Sequence, residues 1–348
     1  MRKKKTTAAM VILISSVYAA GCGLLPEEKK EKIDPPQSVV YTDNLAGGEE
    51  QQAVQNKNMV MTELYLIDKN GYVVSQTMPL ANTKSLAKQA LEYLVAEGPV
   101  SNVIPNGFRA VLPAGTQVKS VNIEDGTATV DFSPEFKEYA KTDEARIVQS
   151  ITWTLTQFDS IERVKLQVNG HPLSEMPVAK MVLNEDGLTR QNGINIDASG
   201  VVDLADTRPV TVYYMAQQGE EYYYVPVTKR VNNDEKDQIT AVVKELAKGP
   251  SVDSGLVTEF LPEAELLEKP VVKEGRVTLN FNEAILGSFE NKMVSEHVLK
   301  SLALSLTEGG QIESFAIQVG GSSNITTEQG KPLSSSVTRP DIVNPVDL

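Results

Sequence analysis

Apolar residues along this chain fall into two spacings, and the same succession of spacings occurs twice. Between Leu112 and Phe132 (LPAGTQVKSVNIEDGTATVDF), Val118, Val121 and Ile123 precede a turn. Ala128, Val130 and Phe132 then alternate with Thr127, Thr129 and Asp131. A period of two is the mark of a half-buried strand. Leu261 to Phe281 (LPEAELLEKPVVKEGRVTLNF) repeats the pattern at a constant offset of 149 residues, with Val277, Leu279 and Phe281 as the apolar set. The two turns, Glu124-Asp125-Gly126 and Lys273-Glu274-Gly275, end in glycine, which supplies the positive φ that tight hairpins need. A register held over 21 positions without a gap marks one structural unit used twice.

The flanking patterns repeat as well. Val60 to Ile67, the Asn70-Gly71 turn and Tyr72 to Thr77 read as a hairpin, matched by Val210 to Met215, Gln217-Gln218-Gly219 and Tyr222 to Val227. The clusters Tyr213-Tyr214 and Tyr222-Tyr223-Tyr224 are strand formers, expected on a sheet surface. Leu86, Ala90, Leu91, Leu94 and Val95 recur at helical spacing, as do Ile239, Val242, Val243, Leu246 and Ala247. Both helices run into Gly-Pro, at Gly98-Pro99 and Gly249-Pro250, which stops a helix. A second helix follows each turn pair, through Ile147, Ile151, Leu155 and through Val298, Leu302, Leu306. Each copy closes on a strand, Ile161 to Asn169 and Ile312 to Gly320.

The predicted unit is therefore ββ-α-ββ-α-β. The fold class is α+β, with two tandem repeated domains, each a small β-sheet with two helices on one face. The divisions are 1–22 leader, 23–58 flexible tether, 59–170 first domain, 171–207 connection, 208–321 second domain and 322–348 tail. Val201 to Leu204 is expected to add a short strand to the connection. The tail is rich in Ser, Thr, Pro and Gly and is expected to be mobile.

Charge and cysteine usage sharpen the ends of this picture. Arg2 to Lys5 are four consecutive bases, followed by an apolar run too short for a membrane span, which needs about 20 residues. The run ends in Ala19-Ala20-Gly21-Cys22, and Cys22 is the only cysteine in the chain. The arrangement resembles a bacterial lipobox, whose cysteine is lipidated and becomes the mature N-terminus. Ala19 stands where that motif usually has leucine, which leaves cleavage by an ordinary signal peptidase as the alternative. A chain whose single cysteine is lipidated has no internal disulfide, thiolate nucleophile or cysteine metal site. Formal charge is −13, and without the four leader bases it is −17, a poor footprint for nucleic acid.

Residues for catalysis do not converge. The two histidines, His171 and His297, occupy non-equivalent places in the two copies and lack partners at ligand spacing, so no metal is expected. Ser85-Leu86-Ala87-Lys88 matches S-x-x-K, but copy two has Thr240-Ala241-Val242-Val243 in that region. Asp131 becomes Asn280 in copy two, so the repeat carries no shared acid pair for glycan hydrolysis. No phosphate-binding glycine loop is present, and no cofactor or catalytic residue is expected.

The helix with Gly-Pro, the Leu-Pro and then Thr129 to Phe136 (TVDFSPEF) resemble the GerMN domain, which commonly has V-D-(L/F)-S-x-x-F at that place. Copy two departs there, reading TLNFNEAI from Thr278 to Ile285. The resemblance implies a ring-building-motif-like α/β unit with no catalytic residues. It also implies a non-enzymatic role in sporulation and germination, as a scaffold for a mother-cell–forespore channel complex. The implied partners are the membrane, through a lipid on Cys22, and proteins of that channel, with self-association also open. The implied place is the extracytoplasmic side of the cell membrane, between the mother-cell and forespore membranes. The alternative is a ligand-binding module for peptidoglycan fragments or a germinant, which requires a pocket of convergent polar groups.

Overall fold

The computed structural model describes residues 58–199, 205–288, 290, 292–333 and 336–346. The leader, Cys22, the tether to residue 57 and the short strand expected at Val201 to Leu204 lie outside the described residues. Copy one runs β1 (Met59–Asp68), β2 (Val73–Ala81), α1 (Leu86–Glu92), β3 (Phe108–Arg109), β4 (Val118–Glu124), β5 (Thr127–Phe132), α2 (Glu144–Leu155), β6 (Arg163–Val168) and β7 (His171–Pro172). Copy two runs β8 (Thr207–Gln218), β9 (Glu221–Asn232), α3 (Gln238–Lys248), β10 (Val271–Lys273), β11 (Arg276–Phe281), β12 (Met293–Val294), α4 (Glu296–Thr307) and β13 (Ser314–Val319). Two short strands follow, β14 (Thr326–Thr327) and β15 (Val337–Thr338). The expected α+β unit is present twice.

The hairpin at the start of each copy and the strands that follow lie in separate sheets, and β12 of copy two pairs apart from both with β14. Copy one has β2-β1-β3 and β4-β5-β6-β7, and copy two has β8-β9 and β10-β11-β13-β15. The repeated hairpins turn as their sequences require: Asp125 and Gly126 have φ of 47° and 73°, and Glu274 and Gly275 have 50° and 70°. Positive φ at both central positions matches the twist of the flanking strands. β5 pairs with β6, and β11 with β13, in parallel. Parallel neighbours need a crossover, and α2 and α4 supply it.

The second helix of each copy also closes a strand edge. α2 packs against β1, and its Ser150 hydroxyl donates to the Tyr65 carbonyl. The Tyr65 amide donates to Thr154 Oγ1 at 3.2 Å. Gln157 accepts from the Glu63 amide at 2.8 Å and donates to the Glu63 carbonyl at 2.7 Å. Copy two repeats the device, with the Tyr213 amide donating to Ser305 Oγ at 2.9 Å. Unpaired strand edges invite other strands, and these are sealed from within.

Against the expectation of mobility, the described part of the tail packs onto both copies. β15 pairs with β13 through Val337 and Thr338. Val343 is buried against Tyr213, Met215, Tyr224 and Leu304 of copy two, and Thr77 of β2 forms a parallel bridge with Pro345. A few side chains hold this segment, with no periodicity to announce them in a stretch of low apolar content.

Candidate functional site: the seam between the two copies

The outer edges of the two hairpins, β2 of copy one and β9 of copy two, face each other, and two asparagines fill the gap. Asn195 of the connection donates from Nδ2 to the Val73 and Pro226 carbonyls, both at 2.8 Å, and accepts from the Val73 amide at 2.8 Å. Asn344 of the tail donates from Nδ2 to the Ser75 and Tyr224 carbonyls, both at 2.9 Å, and accepts from the Tyr224 amide at 2.8 Å. The two bridges stand two residues apart on each strand. Both asparagines have positive φ, 45° and 50°, which asparagine tolerates better than most residues. Each amide replaces the missing ladder between β2 and β9 with side-chain bonds. The Val74 side chain of β2 joins the core of copy two, and the Tyr223 hydroxyl donates to Asp68 Oδ2 at 2.7 Å.

A half-buried charge cluster closes the same seam further along. Arg190 of the connection pairs with Glu308, just past α4. Its guanidinium lies 4.5 Å over the Trp153 ring, and its Nε donates to Thr156 Oγ1 at 3.0 Å. Arg339 of the tail sits 3.5 Å from both Glu63 and Glu308. The Tyr213 hydroxyl donates to Glu308 at 2.6 Å. Burial works against the Arg190 charge, but the Glu308 carboxylate outweighs it and holds the guanidinium protonated. Burial and then Glu308 push the Tyr213 hydroxyl well up, so it remains a donor. Two acids and two bases from copy one, the connection, copy two and the tail thus meet in one place.

Four of the five tyrosines expected on a sheet surface are buried instead. Tyr213, Tyr214, Tyr223 and Tyr224 are buried, while Tyr222 is exposed. Tyr214 donates to the Glu245 carbonyl at 2.7 Å. Tyr224 Oη lies 2.8 Å from His297 Nδ1, which gives that histidine a structural partner. Tyr214 lies in the core of copy two, and Tyr213 and Tyr224 pack with Leu304 of α4 and Val343 of the tail, cover that a single-strand pattern does not show.

Asp131 and Asn280 do equivalent work. Asp131 Oδ1 accepts from the Gly170 amide at 2.8 Å, and Asn280 Oδ1 accepts from the Gly321 amide at 2.8 Å. Both hold the turn after the closing strand, which needs an acceptor and no charge. Asp131→Asn is accordingly expected to shift stability by under about 0.5 kcal/mol, and Asp131→Ala to cost about 1 kcal/mol, read by thermal unfolding.

His171 is exposed in β7. Lys88 of the S-x-x-K match reaches Glu92 at 3.9 Å. No group of three His, Cys, Asp or Glu among the described residues is placed to hold a metal. Clefts of about 440, 500 and 400 Å³ lie along and beside the seam.

A buried carboxylate missed by pattern reading is Glu144, at the start of α2. It accepts from the amides of Val178, Ala179 and Met181 at 2.9, 2.6 and 2.9 Å, and from the Tyr139 hydroxyl at 2.8 Å. Burial raises its pKa, but those amides and the hydroxyl more than offset this and hold the carboxyl below its usual range. Asp197 faces the same opposition, and Lys229 with Ser199 brings it down to about 2. A carboxyl lowered on folding stabilises fully above its unfolded pKa, about 4, and loses that contribution as pH falls through its folded value. Stability is therefore expected to fall below about pH 4, and Glu144→Gln to flatten that fall in acid-denaturation curves.

Residues 63–174 and 211–324, which bracket the two copies, match the family described as Germane, sporulation and spore germination. The chain belongs to that family. It is 52% identical over 343 residues to the spore germination protein GerM of Bacillus subtilis (strain 168), covering 93% of each chain. The solved tandem GerMN domains of the sporulation protein GerM from Bacillus subtilis superpose with a TM-score of 0.78 at 56% identity. That match covers 82% of this chain and 99% of the solved one. The resemblance carried by TVDFSPEF thus extends over both copies of this Germane-family chain, including the second, where that stretch is altered.

Proposed function

We propose that this chain is a membrane-anchored, non-enzymatic scaffold for sporulation and germination. In this reading a lipid on Cys22 tethers it to the extracytoplasmic face of the membrane between mother cell and forespore. The two GerMN units then support assembly of a channel or ring complex between those cells. The observation that carries the reading is the seam, which joins two copies of one domain into a single body with side chains from four parts of the chain. A chain built to present two units at a fixed spacing suits assembly, because each weak contact raises the effective concentration of the next. Membership of a family described by sporulation and spore germination agrees with it.

The test is replacement of Cys22 by serine in a sporulating host. The wild-type chain is expected in the membrane fraction, cross-linking to channel proteins, and the variant is expected to leave the membrane and lower spore yield. A variant that stays membrane-bound and sporulates fully contradicts the anchor. Cleavage of spore peptidoglycan by the purified chain contradicts the scaffold.

A further inference from the structure

The groove that holds the tail is built without it. β2 is paired with β1 from Ala81 to Val73, and β9 with β8 from Asn232 to Glu221. Asn195 of the connection ties the two outer edges at Val73 and Pro226. The tail enters at the next outward positions. Besides the Asn344 side-chain bridge to Ser75 and Tyr224, the Thr77 amide donates to the Asn344 carbonyl at 3.1 Å. The Val346 amide donates to the Thr77 carbonyl at 3.4 Å. Thr77 Oγ1 donates to the Val343 carbonyl and accepts from the Val343 amide at 3.2 Å. Pro345 stands where a parallel strand donates nothing to β2, so its missing N–H costs no bond. A segment from the end of the chain is thus added as a strand to an open edge.

The tail does not fit its groove completely. Beside it lies the cleft of about 440 Å³, lined by Gln76, Phe108, Gln218, Tyr222 and tail residues that include Ile342. Ile342 is 37% exposed and Tyr222 44%, so apolar surface in the cleft stays open. Gln76 is only 3% exposed, and its Nε2 donates to the Ser75 carbonyl at 3.1 Å, yet its Oε1 accepts nothing among the described residues. Gln218 donates from Nε2 to the Asn106 carbonyl, and its buried Oε1 also lacks a partner. The nitrogen bonds fix which end of each amide is the oxygen, so both open atoms are acceptors. The missing group is a donor. Among the tail residues lining the cleft, Pro340, Ile342, Val343 and Pro345 have no side-chain donor, and both donors of Asn344 are engaged by Ser75 and Tyr224. Lys300 and Glu221 also line the cleft, one charge of each sign, so its wall selects no net charge.

We propose that this groove is a strand-binding site which the tail fills in cis, and that an extended partner-protein segment reading aromatic–apolar–Asn–Pro takes the tail's place. The asparagine keeps the bridge to Ser75 and Tyr224, at a positive φ that asparagine tolerates better than most residues. The apolar residue replaces Val343 among Tyr213, Met215, Tyr224 and Leu304. A tryptophan or tyrosine at the place of Ile342 fills the cleft beside Phe108 and Tyr222 and brings the donor that Gln76 and Gln218 lack. The tail has the advantage of attachment, an effective concentration of roughly millimolar, so a partner needs this better fit to displace it. Exchange leaves the seam closed while joining the chain to its partner.

The site rests on the scaffold reading for the nature of its partner, and the two fail separately. The test uses the full chain carrying Cys22→Ser, with and without Asn344→Ala, and a fluorescently labelled peptide with the sequence of Arg339 to Val346. Asn344→Ala weakens the cis strap, so anisotropy is expected to show the peptide binding that variant at least about tenfold more tightly than the unaltered chain. The peptide is also expected to raise the variant's melting temperature. Within the peptide, Ile342→Trp is expected to tighten binding about tenfold and Asn344→Asp to abolish it. The tryptophan peptide is expected to bind even the unaltered chain, which frees the test from the folding of the variant. Failure of the tryptophan peptide to bind either chain, or to bind more tightly than the tail sequence, overturns the proposal. Equal binding of the aspartate peptide places the contact elsewhere and overturns it as well. A dimer of the unaltered chain that free peptide dissociates also overturns it, by assigning the groove to the tail of a second copy. Each of these outcomes leaves the Cys22 test of the scaffold untouched.

Discussion

Asn344→Ala is expected to lower the melting temperature by roughly 5–10 °C, although the residue lies in a tail whose composition suggests disorder. The substitution removes two donors from the Ser75 and Tyr224 carbonyls and the acceptor of the Tyr224 amide, all buried in the seam. Stranding buried backbone groups costs about 1–3 kcal/mol each before relaxation, and water entering the gap recovers part of it. Alanine also meets the positive φ of 50° less readily than asparagine. Asn344→Asp is expected to be at least as harmful, because a carboxylate keeps the acceptor, loses both donors and buries a charge. Differential scanning calorimetry of the variants separates these terms. Asn195→Ala should behave alike, since its amide bridges β2 and β9 in the same manner.

Glu308→Ala is the second large effect expected, roughly 2–3 kcal/mol of destabilisation, since Glu308 is nearly buried and its two arginine partners are half-buried. Glu308 is the carboxylate on which Arg190, Arg339 and the Tyr213 hydroxyl all converge. Without it two guanidinium groups share the cluster with Glu63 alone. Breaking a buried pair by removing one partner is costly because the other charge stays behind. The double variant Glu308→Ala with Arg339→Met is therefore expected to be more stable than Glu308→Ala itself, measured by urea unfolding at fixed pH. A double variant less stable than the single one would show that Arg339 contributes by packing on Tyr213, 5.8 Å away, rather than by charge.

How much of this was legible in the sequence follows from what repeats. The hairpin with Gly126 and its copy with Gly275 could be read because alternation and glycine turns are local signals, written twice. The helices could be read from their spacing and from Gly-Pro. The seam could not. Asn195 and Asn344 reach β2 from 122 and 269 positions away through side-chain bonds that have no period. The pairing of Arg190 with Glu308 joins the connection to the end of α4 across 118 positions, and each residue alone reads as an ordinary surface charge. Glu144 was hidden likewise, because its donors are backbone amides that any sequence supplies. A faint signal did exist in the tail: Ile342, Val343 and Val346 are apolar in a stretch otherwise poor in such residues.

The interdomain seam is the centre of this account, and a distance measurement tests it most directly. The full chain with Cys22→Ser would carry two introduced labelling sites, Lys165→Cys on β6 and Thr278→Cys on β11, both exposed. Pulsed electron–electron resonance between spin labels there reports how the copies move relative to each other. A single narrow distance distribution, broadened by Asn344→Ala, is the expected result. A broad distribution in the unaltered seam, insensitive to Asn344, would mean that the copies are loosely strung and would contradict the account.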